Sequence, residues 1–530
     1  MDEYRILQLG RRLPALLVVL LAILAYLPAL DAGFIIDDTF YVTDDARMQT
    51  VGGLARIWTE VVGPEYKHQY YPMTSTAFWV QHQFWSDDPF GYHLVNVLLH
   101  AANAVLFGLV LRRLAMPGAW IAAAIFAVHP VHVQTVAWVA ELKNTLSAMF
   151  FLASAFVYVG WFRDGPRRWP GYALGLVLFV AALLSKSATC LLPAALLVVL
   201  WWTRPRLQRR DLLALAPLVA VGLSFVAVTV YLEAVHGGAR GGAFSQSAVE
   251  RGLVAGRMLW FYTGKMVWPA ELIFIYPRWA IDAAAWWQYV FPVSAIGVLA
   301  ALWWQRARIG RGPFAAVAFF FLAVVPMAFV NVAFTRLSWV SDHWQYWASM
   351  GLIALAAGTA ATHRGRWLPA AATAVIGVLA VLTWDRCLDY GSSERLWRDT
   401  VTRNPDAWLA HNNLANELQL QERFDEAEAG YREAIRLNPD FMKAHYNLAN
   451  ALQAGGRFDE AVVHFDRVVH LDPGYADAHY NFGNTLRLAG NLDEAIERYR
   501  EALRLAPDFH VARHNLKAAL SLRQAAVSTP

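Results

Sequence analysis

Asn404-Pro405-Asp406, Asn438-Pro439-Asp440, Asp472-Pro473-Gly474 and Ala506-Pro507-Asp508 stand 34 residues apart. Between successive prolines the chain repeats itself. Each unit reads Ala-x-x-Asn-Leu/Phe-Ala/Gly-Asn, then Arg/Asn-Phe/Leu-Asp-Glu-Ala, then a closing stretch such as 431–437. A unit of this length, punctuated by proline, is a pair of helices that stacks on its own copies.

The spacing and the small residues at fixed positions make this a tetratricopeptide pattern. Three full repeats cover 407–508, a half unit (393–403) precedes them, and a closing helix (509–522) follows. About three repeats are needed for a stable stack. Ala415, Ala449 and Gly483 let the two helices of a repeat approach closely, and Ala427, Ala461 and Ala495 act the same way one helix later. Asn413, Asn447, Asn481 and Asn515 fall on the helix that lines the concave face. Side-chain amides both donate and accept, so this ladder is a candidate surface for an acceptor peptide. The competing reading is that these amides satisfy neighbouring backbone or solvent. Asn416, Asn450 and Asn484 read as packing and helix–helix hydrogen bonds.

Upstream of the repeats the composition changes. The whole chain of 530 residues is 57% hydrophobic and 16% charged, with a net charge of +4. Its mean hydropathy is +0.33. That is too apolar for a soluble or disordered protein. Residues 1–390 hold 29 basic and 21 acidic residues, and 391–530 hold 16 and 20. A membrane domain (1–390) followed by a soluble repeat domain (391–530) is the simplest division. The charge is no footprint for nucleic acid. Cys190 and Cys387 suggest neither a disulfide framework nor a zinc cluster.

A spanning helix needs ~20 mostly apolar residues. Eleven segments qualify: 13–30, 93–111, 118–137, 144–162, 171–185, 188–202, 212–235, 288–304, 314–333, 346–361 and 367–384. Arginine clusters sit at every second loop: Arg5/Arg11/Arg12, Arg112/Arg113, Arg163/Arg167/Arg168, Arg204/Arg206/Arg209/Arg210, Arg306/Arg308/Arg311 and Arg364/Arg366. Basic residues stay cytoplasmic. That face then holds 17 of the 29 basic residues and four acids, Asp2, Glu3, Asp164 and Asp211; the outer face holds 12 and 17. The N-terminus is expected inside, with the first segment an uncleaved span, and the repeats outside. The segment 250–276 reads as a helix at the outer interface or a re-entrant hairpin, because a single crossing there would misplace Arg306–Arg311. A large first outer loop covers 31–92.

This topology gathers the unusual polar residues at the outer face: Asp37 and Asp38, His129 and His132, Glu141 and Lys143, Lys186, Lys265 and Arg278, then Arg336, Asp342 and His343. Ionisable residues at membrane depth are costly and default to function. A carboxylate can take the proton of an acceptor hydroxyl, and a lysine or arginine can hold a departing phosphate. Asp37 and Asp38, in Phe34-Ile35-Ile36-Asp37-Asp38-Thr39-Phe40, are the candidate catalytic pair, with Asp38 preferred as base. Lys186, Lys143 and Arg336 are candidate phosphate ligands. Glu141, His129, His132, Asp342 and His343 support them. His129-Pro130-Val131-His132 leaves a divalent metal open, with a hydrogen-bonding role an equal reading. Asp87-Asp88, beside Pro89, reads as a helix cap.

These residues also carry a family resemblance. Its marks are Ile36-Asp37-Asp38, Tyr71-Pro72-Met73-Thr74, Tyr92 through His100 with Asn103, His129 through Val133, Ala137 through Glu141 with Lys143, Leu184-Ser185-Lys186, Trp268-Pro269 with Tyr276-Pro277, Ser349-Met350-Gly351, and then the repeats. Over nearly its whole length the chain resembles the transmembrane and tetratricopeptide-repeat-containing O-mannosyltransferases and their bacterial relatives. These are GT-C class integral membrane glycosyltransferases. The resemblance implies an all-α, GT-C-like helix bundle of eleven spans with a tetratricopeptide solenoid. It also implies a polyprenyl-phosphate sugar donor, a hydroxyl acceptor on protein, inverting chemistry, and a base at Asp37 or Asp38. A bacterial inner membrane with the repeats in the periplasm is the setting it implies. The chain departs from the family pattern at Gln134, at Leu142 and Asn144, at Ser187 and at His343, where Glu, Arg and Asp, Pro, and Arg are usual.

Three classes of function remain at this point. The first is a lipid-linked sugar transferase whose repeats gather a protein acceptor. The second is a membrane-anchored repeat scaffold with an inactive transferase-like domain. A transporter is disfavoured, because the charges collect at one face and not at the midplane.

Overall fold

The computed structural model describes residues 2–60, 70–163, 169–236, 246–330, 333–363, 365 and 367–528. Asp164, Arg167, Arg168, Arg364 and Arg366, counted above among the loop charges, lie outside the described residues, as do 61–69 of the first loop. The side chains of Asp2, Glu3, Arg5, Arg11 and Arg12 lie outside them too. Every regular element among the described residues is helical. The chain divides into two compact units, Met1–Ser393 and Glu394–Pro530.

Among the described residues of the first unit, six helices are long and apolar enough to cross a bilayer: Pro89–Arg113, Val139–Arg163, Arg209–Leu232, Trp286–Ile309, Gly312–Phe329 and Leu368–Asp389. Four apolar helices are shorter: Leu13–Ala25, Trp169–Ser185, Ser187–Thr203 and Ser349–Thr362. The remaining segment is broken, Ala119–Ala127 meeting Pro130–Ala137 at a 54° bend. All eleven segments read from the sequence are therefore helical, though only six reach spanning length as straight helices.

The bend has a local cause. Pro130 lacks an N–H and cannot continue the helix, so carbonyls just before it lose their partners. Side chains replace them. His132 Nδ1 lies 2.9 Å from Phe126 O, His100 Nε2 lies 3.1 Å from Ala127 O, and Thr383 Oγ1 donates to Val128 O at 2.7 Å. Non-helical backbone at membrane depth is tolerated on this condition.

Over 250–276 the chain forms one helix followed by irregular backbone. Ser247 and Glu250 form a reciprocal capping box that opens helix Ala248–Val267. The chain then returns as irregular backbone with Leu272, Ile273, Phe274, Ile275 and Tyr276 buried.

The first loop is folded over its described residues, as helices Asp38–Val42, Val51–Thr59 and Pro72–Trp85. Val42, Met48, Ile57 and Phe78 pack with Tyr92, Val139 and Leu142. That small core sets the loop against the start of helix Leu142–Arg163. Asp88 caps helix Pro89–Arg113, its side chain accepting from Phe90 N at 3.1 Å.

In the second unit the paired helices are Trp408–Leu420 with Phe424–Leu437, Met442–Ala454 with Phe458–Leu471, and Ala476–Leu488 with Leu492–Leu505. Ser393–Arg403 precedes them and His510–Ser528 follows. Ala415, Ala449, Ala427, Ala461 and Ala495 are buried between the pairs. A Cβ at Gly483 would stand 2.8 Å from the Tyr499 ring, so only glycine admits that ring.

Candidate active site

The acid pair sits where the backbone is strained. Ile36 has φ +53°, a left-handed conformation that a β-branched residue rarely adopts. The turn sends its two carboxylates to different environments. Asp38 is fully buried, and Asp37 is exposed. Ile35 N donates to Asp38 Oδ2 at 2.9 Å, and Ala140 N donates to Asp38 Oδ1 at 2.6 Å. Burial raises the Asp38 carboxyl to about 8, against the pull of those two N–H groups. Asp38 thereby ties the first loop to the turn Val139–Glu141 that opens the next helix.

That turn delivers Glu141 and Lys143 to the same place. Glu141 is buried, and its carboxylate separates two ammonium groups. Lys143 Nζ lies 3.0 Å from Oε1, and Lys186 Nζ lies 3.7 Å from Oε2. Lys186 comes from extended backbone between helix Trp169–Ser185 and the turn Ser187–Leu191. It donates to Asn144 Oδ1 at 2.7 Å, and the Asn144 amide donates to Glu141 and to His343 O. His343 Nε2 is 4.0 Å from Glu141 Oε1. Burial drives the His343 imidazole down to about 3, so it is neutral. One carboxylate and two ammoniums leave a buried excess of one positive charge.

Lys143 links this cluster to the first loop. Its ammonium lies 5.7 Å from the Tyr41 ring and 5.9 Å from the Trp138 ring, and it is within electrostatic reach of Asp37 and Asp38. An exposed carboxylate thus stands beside two half-buried cations joined by Glu141.

Other candidates stand apart from the Glu141 cluster. Asp342 accepts from Tyr276 OH at 2.9 Å, and burial raises its carboxyl to about 6 against the pull of Arg386 and Tyr276. Arg336 is exposed on the turn Ala333–Arg336. Lys265 donates to Ala270 O and Glu271 O, and Arg278 donates to Thr335 O and stacks 4.4 Å from the Trp339 ring. These two brace the irregular return.

His129 and His132 do not fit a divalent cation. His129 Nε2 is 3.1 Å from Met266 O, and its Nδ1 accepts from Val131 N at 3.4 Å. His132 bridges Phe126 O and Ser349 Oγ. Among the described residues no three His, Cys, Asp or Glu side chains form a metal-binding group.

In the repeats, the asparagine ladder turns its donors onto the preceding unit. Asn447 donates to Asn412 Oδ1 and Asn416 Oδ1, Asn481 to Tyr446 OH, and Asn515 to Tyr480 OH and Asn484 Oδ1. Asn413 accepts from Asn412. A peptide meeting Asn447 or Asn515 would find a carbonyl oxygen, since both amide protons are engaged. Tyr431 OH donates to Asn416 and Tyr499 OH to Asn484, joining the helices within a repeat.

Sequence reasoning gave no site role to Asn144, named only as a departure from the family pattern, or to a polar row on helix Pro89–Arg113, quoted only as marks of the resemblance. His93, Asn96, His100 and Asn103 are all fully buried. Their spacing of three and four residues on an apolar helix was the available signal. Asn96 holds Trp138 O, Asn103 holds Thr145 O, and His100 meets Tyr346 OH at 2.8 Å. Asn96 and Asn103 thereby hold the turn that presents Glu141 and the helix it opens.

With that geometry in view, comparison with known proteins is informative. A tetratricopeptide-repeat family profile matches residues 388–440, 412–476 and 446–509. Mouse (Mus musculus) protein O-mannosyl-transferase TMTC3 is 30% identical over 181 residues, which are 32% of this chain and 20% of the relative. Protein O-mannosyl-transferase tmtc2 of Xenopus laevis is 32% identical over 147 residues, 26% of this chain and 18% of the relative. The chain is similar to protein O-mannosyl-transferases that carry tetratricopeptide repeats. Each match spans about a fifth of the length of the O-mannosyl-transferase concerned. Among solved structures, the first TPR of Spaghetti (RPAP3) bound to an HSP90 peptide is 25% identical with a TM-score of 0.22, over 23% of this chain and 94% of that one.

Proposed function

We propose that this chain is a membrane glycosyltransferase that moves a sugar from a polyprenyl-phosphate donor to a hydroxyl on protein at the outer face. In this reading the repeats hold the acceptor. The observation that carries it is the Glu141 fork, with Lys143 and Lys186 on opposite oxygens of one buried carboxylate beside the exposed Asp37. A buried site with surplus positive charge favours a phosphate, and Glu141 keeps the two ammoniums apart and oriented.

The step is a single displacement. The acceptor oxygen attacks C1 of the sugar from the side opposite the lipid phosphate. Its proton passes to a first-loop carboxylate, the C1–O bond to phosphate breaks, and the bonding pair leaves on polyprenyl phosphate, whose charge Lys143 and Lys186 neutralise. Geometry supports Asp37 as the base. It is exposed, whereas both oxygens of Asp38 are occupied by backbone N–H groups. Asp38 then acts as the positioning residue.

The test is sugar transfer in proteoliposomes supplied with polyprenyl-phosphate mannose and a serine- and threonine-rich peptide. A general base contributes ~10²–10⁴-fold, so Asp37→Asn lowers transfer by about that factor while inserting normally. Normal transfer by the Asp37→Asn, Asp38→Asn double variant would sink the enzymatic reading.

A further inference from the structure

We propose that the first unit holds one chain of an anionic phospholipid drawn from the arginine-rich leaflet, in a cavity separate from the Glu141 site. The cavity has a volume of about 450 Å³. It lies among helices Pro89–Arg113, Leu142–Arg163, Leu192–Thr203, Gly312–Val324 and Ser349–Thr362, and its lining is apolar, including Phe151, Leu196, Ala316 and Met350. No charged side chain lines it, and its polar side chains are confined to Trp202, Thr359 and Thr362.

Length and charge identify the occupant. Met350 and Thr362 both line the cavity and are twelve residues apart on one helix. At 1.5 Å per residue this is ~18 Å. One leaflet's share of a ~30 Å hydrocarbon core is ~15 Å, so the cavity accepts a single lipid chain lying along the membrane normal. Its lower end is marked by Leu114, Trp202, Ile309 and Thr362, all at helix ends beside basic residues. Arg112 and Arg308 are exposed there, Arg204 stands two residues from Trp202, and Arg311 stands two residues from Ile309 and donates to Trp201 O and Arg204 O. The buried acid of this end, Asp211, is held by Arg204 at 2.5 Å. A lipid chain in the cavity puts its head group among these arginines, which favours an anionic phosphate over a zwitterion. On the proposed function the sugar donor is the wrong occupant, because its phosphate goes to Lys143, at the opposite end of helix Leu142–Arg163, and to Lys186, which precedes helix Leu192–Thr203.

Gly358 provides the test. A Cβ built there makes only ordinary van der Waals contact, with Met116 Cε at 3.7 Å and Pro117 O at 3.8 Å, so alanine fits and a larger side chain at this lining position competes with the lipid for space. The full chain is placed in nanodiscs of equal phosphatidylglycerol and phosphatidylcholine, released, and its retained lipid read by native mass spectrometry. The wild type retains phosphatidylglycerol in preference by at least about 5-fold. Gly358→Ala keeps it, Gly358→Leu lowers its occupancy about 10-fold, and the Arg112→Gln, Arg308→Gln pair keeps a lipid but loses the preference. Equal retention of the two lipids by the wild type would overturn the proposal, and so would full occupancy in Gly358→Leu or recovery of polyprenyl phosphate from the cavity. The wild-type preference and the arginine pair decide the matter even if Gly358→Leu fails to fold.

Discussion

Ala140 N donates to Asp38 Oδ1 at 2.6 Å, joining residues 102 positions apart. The bond closes the first loop onto the turn that presents Glu141, and Asp38 has no exposed surface. Its carboxyl is raised to about 8, chiefly by burial, from an ordinary value of 3.8. Between those values the folded chain holds a proton that the unfolded chain has lost. Stability contributed at this residue therefore falls as pH rises from about 4 to 8. Asp38→Asn removes that titration and sets an amide against a backbone donor, a cost of about 1–3 kcal/mol. The variant is expected to unfold earlier than wild type at pH 5, with the gap narrowing toward pH 8. Thermal scans at several pH values check this, and a gap independent of pH would contradict it.

The Glu141 fork predicts opposite outcomes for its members. Glu141→Gln removes the one carboxylate paired with both half-buried ammoniums, which costs up to about 3–5 kcal/mol and should show as loss of folded protein on size exclusion. Lys186→Met removes one ammonium and leaves the Glu141–Lys143 pair. It is expected to remain folded and to bind sugar-free polyprenyl phosphate at least about 10-fold more weakly. Unchanged affinity would return Lys186 to a structural role.

The repeats were legible because period and proline spacing state them directly, and the apolar segments because hydropathy does. The bend at Pro130 was not, since no local signal says that His100, His132 and Thr383 will take the freed carbonyls from other helices. Asp37 and Asp38 were found together, with Asp38 preferred as base; adjacent carboxylates look alike until Ile36 φ and the Ala140 bond divide them. Asn144 was read as a departure from a family pattern, not as the residue joining Lys186 to Glu141. Such partners depend on helix packing that sequence spacing alone does not encode.

Asn447 donates twice into the preceding repeat, so its first role is cohesion. Two hydrogen bonds contribute about 1–3 kcal/mol together. Asn447→Ala is expected to lower hydrogen-exchange protection across helices Trp408–Leu420 and Met442–Ala454 of the full chain. Unchanged protection, with peptide binding lost, would favour a direct contact.

The loop charges predict where the repeats lie. The sequence reading assigns 17 basic and four acidic residues to one face and 12 and 17 to the other, and from this the C-terminus is expected outside the cytoplasm. A reporter fused after residue 530 should be active only as an external reporter. Cytoplasmic activity would remove one crossing and the common outer face with it.

His445 and His464 form a titratable contact inside the second repeat. Their Nδ1 atoms are 3.0 Å apart, and His445 Nε2 is 3.0 Å from Pro439 O. A carbonyl only accepts, so His445 carries its proton on Nε2, and His464 Nδ1–H donates to His445 Nδ1. Burial lowers both imidazoles, His464 to about 4; the Pro439 carbonyl and Asp440 oppose it at His445 while Arg467 adds to it, and the His445 ring and Arg432 add to it at His464 while Glu460 opposes it. An imidazole depressed in the fold contributes stability that is complete above its unfolded value near 6.5 and lost as pH falls toward 4. A second proton on His445 Nδ1 would also set two N–H groups against each other. Exchange protection in helices Met442–Ala454 and Phe458–Leu471 should therefore fall between pH 6.5 and 4 in the wild type. His464→Ala starts lower and changes less over the same range. An equal fall in the variant would assign the pH response to other groups.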